Sequence, residues 1–395
     1  MRLEGDLGHL TYCLNIHPTQ SWAQARAALT GPVLAVKQTV SPNAPFAVGL
    51  RFSAETMTEL ADAGKRADLA KILTENDLQP ITMNGFPYGP FHGTRVKEDV
   101  YLPDWRAEER VAYTRDLAEL MAEINPAETF LSLSTVPGCF RPNGSGAEAE
   151  MATNYLRSVA HLIDLEQRTG RQVALAIEPE PFCYLETIEE TVAYFQSHLF
   201  SDGAVRALAD LTGLTQGQAA DALPRHLGLC YDVCHAAVEY EDPADSLEML
   251  RTAGVPVHKL QLSSAVRIAS ADETIRTELA RYDEPTYLHQ LIERGTDGLT
   301  RYPDLGPALA VGGARDGREW RVHFHVPVFL EKLPDFDTTQ PFLIEILKLH
   351  RERSISPHLE VETYTWDVLP QGLRTGAVED AVARELSWVR ETLAA

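Results

Sequence analysis

Long apolar runs are missing from this sequence: nowhere in its 395 residues are there the roughly 20 consecutive apolar positions that a membrane helix needs. The opening stretch MRLEGDLGHLTY has no basic start followed by an apolar core, so no export signal is read there and a cytoplasmic protein is expected. Cysteine is scarce. The five (Cys13, Cys139, Cys183, Cys230, Cys234) are scattered and odd in number, which excludes a disulfide framework and suits a reducing compartment. Cys230 and Cys234 flank an aspartate in CYDVCH without the second pair of a structural zinc ribbon, and read as small apolar fillers. Basic residues are outnumbered 35 to 57, for a formal charge of -22, and form no run that could override it. Nucleic acid is therefore not expected as a partner; a small-molecule substrate is, and self-association stays open. Linkers, charge blocks and low-complexity tracts are also missing, so residues 1–395 read as one domain.

What is present is ordinary globular composition, 44% apolar and 23% charged, arranged as one recurring unit. A short apolar run is followed by a polar turn and an amphipathic helix. The runs are 10–16, 46–52, 80–86, 129–135, 173–179, 227–233, 257–263 and 359–365, each suited to a strand buried on both faces. Helical spacing marks 54–76, 106–124, 147–169, 188–199, 243–253 and 377–393. Thr187-Ile-Glu-Glu190 predicts a capping box, and Gly170 a left-handed helix stop. Eight strands alternating with helices predict an α/β fold, a parallel (β/α)8 TIM barrel, which needs only about 250 residues. The surplus falls mainly in an insertion at about 265–356. It holds a helix at about 272–294, a Gly-rich turn at 312–317 and a ninth strand-like run, WRVHFHVPVF, at 320–329. An open doubly wound sheet would want a Gly-rich phosphate turn after the first strand, and none is there.

A barrel gathers the carboxyl ends of its strands at one mouth, where activity resides. Those ends carry Glu178 and Glu180 on the fifth run, Asp232 and His235 on the sixth, and His258 and Gln261 on the seventh. Glu360 and Glu362 lie on the eighth run, and the extra run adds His323 and His325. Any one of these alone is an ordinary salt-bridge partner or helix cap; their joint occurrence is what points to a site. Carboxylates beside imidazoles, with no thiolate cluster, suit a divalent Mn, Mg, Co or Zn ion, without which they would repel or protonate one another. The period of two turns Glu360 and Glu362 the same way and favours the later one for the mouth; for His323 and His325 the strand direction is open, so both stand. His17, Arg51, Asn84, Tyr88, His92, Glu180 and His258 are candidate substrate contacts, with Lys97 on the same footing. Phe86, Tyr88, Phe91 and Trp105 are candidate pocket walls or loop packing.

The succession AIEPEP, CYDVCH, LQLSS and LEVETYTW resembles the xylose-isomerase-like TIM barrels, which include sugar isomerases, epimerases and AP endonucleases. Longer stretches extend the likeness over nearly the whole chain. LTYCLNIHPTQSW, FAVGLRFS, NGFPYGPFHG, VKEDVYLPDW, STVPGCFRP, WRVHFHVPVF and LEVETYTWDVLP look like an EboE-like branch of metabolite traffic proteins. The resemblance implies a metal held by Glu178, Asp232, the seventh-strand position Gln261, and Glu362, with His235 on substrate or a second metal. Gln261 departs from the family's histidine, so either the metal is held differently or His323 and His325 supply the imidazole. The implied function is metal-dependent isomerisation or epimerisation of a small polyol or carbonyl compound, with Glu178 or Glu362 moving the proton and His235 holding a hydroxyl. The alternatives are hydrolysis of a small phosphoester and a barrel that binds a metabolite without chemistry.

Overall fold

The computed structural model describes residues 1–125, 129–311, 317–369, 374 and 376–395. Seven of the apolar runs form strands in chain order: β1 His9–Tyr12, β2 Phe46–Leu50, β3 Leu78–Asn84, β4 Phe130–Thr135, β5 Gln172–Ile177, β6 Leu227–Asp232 and β7 Val257–Leu262. Five short strands follow, β8 Ala265–Ile268, β9 Leu291–Gly295, β10 Gly298–Tyr302, β11 Glu319–His325 and β12 Asp337–Thr338. The eighth run then forms β13 His358–Val361. Strands β1–β7 and β13 pair in parallel in the order β1-β13-β7-β6-β5-β4-β3-β2, and a bridge from Cys13 to Gly49 brings the two edges together. They make a (β/α)8 barrel.

The strands are short because each is buried on both faces, inside the barrel and beneath the helices; all five residues of β2 are buried. The outer helix Glu148–Thr169 stops at Gly170, whose φ of 73° is the left-handed conformation expected there. Thr187 caps its helix by accepting the Glu190 amide, but the Glu190 carboxylate turns to the Glu186 amide and Arg141, so only half of the predicted box forms.

The barrel interior is polar. Lys259 of β7 and Glu360 of β13 form an ion pair at 2.5 Å with neither side chain exposed. Gly49 is required beside them, because a Cβ there would lie 1.5 Å from Glu360 Oε1. Above this pair the strands open into the mouth.

Strands β8–β12 build a second, antiparallel sheet in the order β10-β9-β11-β8-β12. The ninth strand-like run is β11, with a bulge between Val322 and His325. The helix expected at about 272–294 is much shorter, Glu273–Leu279, and is followed by the β9–β10 hairpin. Pro285 has no amide hydrogen to continue a helix, and Gly298 (φ 107°) allows the tight turn. The Gly-rich turn at 312–317 lies outside the described residues except for Gly317. Two helices, Trp22–Thr30 and Pro32–Val40, join β1 to β2 where no helix was read, and the helix read at 54–76 is broken into Ala54–Glu59 and Ala63–Glu75. No helix among the described residues is long and apolar enough to cross a membrane.

Candidate metal centre and pocket

Glu178 follows β5, Asp232 ends β6 and Glu362 follows β13, so three parallel strands deliver three carboxylates to one mouth. Each offers an oxygen within 4.8 Å of the others. Asn15 Nδ2 and Asn84 Nδ2 donate to Glu362 Oε1 at 2.5 and 3.3 Å. The Asn84 amide is held by a chain from the barrel floor: Lys259 Nζ donates to Ser134 Oγ (3.2 Å), which donates to Asn84 Oδ1 (3.2 Å). Asp232 Oδ1 accepts from Ser263 Oγ (2.6 Å) and, as an N-cap, from the His235 amide (3.1 Å); Asp232 Oδ2 is buried and has no hydrogen-bond partner. Burial, with Glu362 and Asp232 so close, pushes the Glu178 carboxyl up to about 8.

Three imidazoles adjoin this group. His235 Nδ1 lies 2.8 Å from the Pro179 carbonyl, and His325 Nδ1 lies 2.9 Å from the Glu362 carbonyl. Carbonyls only accept, so both rings carry the proton on Nδ1. His323 Nδ1 meets Gln290 Oε1 at 2.8 Å, and Gln290 Nε2 donates to the Pro181 carbonyl (3.1 Å) and Tyr101 hydroxyl (2.8 Å). His323 is therefore a third Nδ1–H donor. All three turn Nε2 inward: those of His235 and His323 share a hydrogen bond at 3.1 Å, and that of His325 is buried without a partner. His235 Nε2 is also 3.8 Å from the unpartnered Asp232 Oδ2. Burial drives the His323 and His325 rings toward the neutral form. For His235 burial acts the same way, but Asp232, Glu180, Glu178 and Glu362 outweigh it and raise the ring to about 9. The unpartnered His325 Nε2 and the orphaned Asp232 oxygen are what a bound cation satisfies; these residues fit one.

The remaining candidates divide. Asn84 and Glu180 line the mouth cavity with Glu178, His235, His323 and Glu362. Glu180 Oε1 accepts from Tyr101 OH at 2.6 Å. Gln261 stands in register between Asp232 and Glu360, with its Oε1 buried and unbonded. Arg51 is fully buried; its two terminal nitrogens donate to Thr19 Oγ1 and to the Pro87 and Gly89 carbonyls, so it braces the loop after β3, while its Nε has no partner. His17 packs edge-on to Tyr12, His92 bonds the Asn15 carbonyl and Tyr287 OH, and Tyr88 packs on Tyr113; none lines the cavity. Trp105 bonds Thr135 and stacks on Tyr155, as packing. His258 lies near the amino end of β7, bonded to the Pro224 carbonyl, at the opposite end of the barrel from the mouth. The seventh-strand pair was too coarse a reading, because His258 and Gln261 stand three residues apart, near opposite ends of β7.

Asn15, Tyr101, Gln290 and Lys259 were not singled out in the sequence. Asn15 was legible only in part: the period of two from Thr11 through Cys13 reaches it but runs on to His17 as well, and the turn at Leu14–Ile16 ends the alternation between them. Tyr101 and Gln290 come from a loop and the second sheet, and nothing local marks them.

No protein-family model matches the chain, and no curated protein matches it. Among solved structures it is similar to D-psicose 3-epimerase in the presence of D-fructose, at 12% identity over 98% of this chain and 100% of that one (TM-score 0.49). It is similar to the IolI protein with a bound zinc atom, at 11% identity over 98% of each chain (TM-score 0.48). A xylose isomerase domain protein from Planctomyces limnophilus is similar at 12% identity, over 91% of this chain and 92% of that one (TM-score 0.43). Xylose isomerase-like barrels are thus among its structural neighbours. None of these matches bears on the EboE-like branch.

Proposed function

We propose that the mouth holds a divalent cation and that the protein isomerises or epimerises a small polyol- or carbonyl-containing substrate by proton transfer. Glu178, Asp232 and Glu362 would hold the ion, with Gln261 as a further oxygen donor and His323 and His325 as the imidazole side. The observation that carries this reading is the gathering of three carboxylates within 4.8 Å beside an Asp232 oxygen that nothing else satisfies. When bound, such an ion polarises substrate oxygens and stabilises developing negative charge. The chain's own groups divide the other tasks. Glu362 is held by two asparagine amides, which fixes its orientation. Glu178 lines the cavity with no side-chain hydrogen bond, so it is the carboxylate free to take a proton from carbon and return it. His235, anchored through Nδ1, directs its Nε2 to a substrate hydroxyl. Glu180, anchored by Tyr101, takes a second one.

The test is proton exchange. Protein loaded with Mn²⁺ or Co²⁺ and incubated with a panel of ketoses and aldoses in D₂O is expected to place deuterium at one carbon stereospecifically. Glu178→Gln should slow that exchange by about 10²-fold or more, the usual contribution of a positioned base. No exchange with any sugar, or exchange unaffected by the substitution, would refute the reading.

A further inference from the structure

The cavity above the carboxylates is two-sided. Its floor is acidic: Glu178, Glu180 and Glu362. Its wall is aromatic and assembled from three separate parts of the chain. Phe91, from the loop after β3, lies 4.9 Å from Tyr287 of the second sheet's connection and 5.2 Å from Tyr364 after β13, between ring centres.

Among the described residues lining this cavity, Lys97 is the single lysine or arginine. Its ammonium is already neutralised, 2.6 Å from Asp304 Oδ2, and it is buried. Asp304 cannot swing away, because its Oδ1 accepts the His289 and Leu305 amides at 3.0 and 2.9 Å. The nearby guanidinium of Arg51 points into the loop carbonyls instead. With its head at the floor, a substrate carrying a phosphoryl or carboxylate group at its far end would therefore set that group against the apolar wall, with no lysine or arginine lining the cavity free of an ion pair to receive it.

We propose that the substrate is uncharged and amphipathic: a hydroxyl- and carbonyl-bearing head that meets the acidic floor, joined to an apolar or aromatic group that lies on the Phe91–Tyr287–Tyr364 wall. This rests on the cation-site reading above and narrows it, setting aside sugar phosphates and bare sugars as the preferred ligands. The head supplies hydroxyls that Glu180 and His235 can bond. The tail gains by leaving water for an aromatic surface.

The experiment uses cation-loaded full-length protein, with metal content measured on the same sample, and three probes in calorimetric titration: a ketohexose, its 6-phosphate and its 6-O-phenyl ether. The phenyl ether is expected to bind at least about tenfold more tightly than the parent sugar, and the 6-phosphate more weakly than the parent. Asp304→Asn keeps the Oδ1 acceptor and releases Lys97. It should raise affinity for the 6-phosphate about tenfold while leaving the phenyl ether unchanged, a gain that misfolding cannot imitate. Tighter binding of the 6-phosphate than of the parent by wild type, or a phenyl ether no better than the parent, overturns the proposal while leaving the cation site standing. A sample that takes up no cation and binds none of the three strikes both.

Discussion

Lys259 and Glu360 face each other inside the barrel with no exposed surface on either side chain. Removing one charge leaves the other buried and unpaired, so Lys259→Met is expected to cost about 3–5 kcal/mol in urea unfolding. Replacing both (Lys259→Met with Glu360→Leu) should restore most of that, because the uncompensated charge is gone. A double variant no more stable than the single would contradict this. Glu385 makes a different case. It is buried, with no cation facing it among the described residues, and accepts the Val328 amide (3.0 Å) and the Thr363 hydroxyl (2.6 Å). Burial raises its carboxyl from 4.5 to about 7. Between those values the folded protein holds a proton that the unfolded chain has released, so stability falls as pH rises through the window. The loss levels off above about pH 7 at roughly 3 kcal/mol. Glu385→Gln keeps an acceptor and removes the ionisation, so it should gain stability relative to wild type between pH 5 and pH 8; an equal difference at both pH values would contradict this. At this scale the sequence was informative about which strand-end side chains the barrel brings together at its mouth, as with Glu178, Asp232, His235 and Glu362. It was uninformative for Arg51 and His258, whose buried partners are backbone carbonyls that no side-chain pattern announces.

Strand β11 matters more to the site than its distance along the chain suggests. It is the one element of the second sheet that sends side chains, His323 and His325, into the candidate centre. What holds it there is ordinary packing: Trp320 is fully buried, its Nε1 donates to Glu293 Oε2 at 2.7 Å, and Arg276 lies 5.8 Å from its ring centre. Trp320→Ala should destabilise the second sheet by about 3–5 kcal/mol and weaken cation binding at the mouth, although the residue touches no candidate ligand. Sheet loss with undiminished cation affinity would show that the imidazoles are dispensable. The eight barrel strands were legible because burial on both faces leaves an unbroken apolar run. The β9–β10 hairpin was not, since its apolar residues also fit a helical period and only the Pro285 and Gly298 breaks say otherwise.

Over the whole molecule, the acidic charge of -22 and the acidic mouth act together. The surface disfavours polyanions, while the mouth concentrates carboxylates that a divalent ion can neutralise. Asp232 is where the two halves of that mouth meet, because it belongs both to the carboxylate group and to the group with His235 and His325. The most direct measurement is therefore elemental analysis of wild-type protein and of Asp232→Asn, which keeps the helix-capping oxygen, with circular dichroism to compare their folds. A cation at about one equivalent or more in wild type, largely lost from a folded Asp232→Asn, is the predicted result. Wild-type protein that holds no cation even after incubation with Mn²⁺, Co²⁺ or Zn²⁺ would contradict the account at its centre.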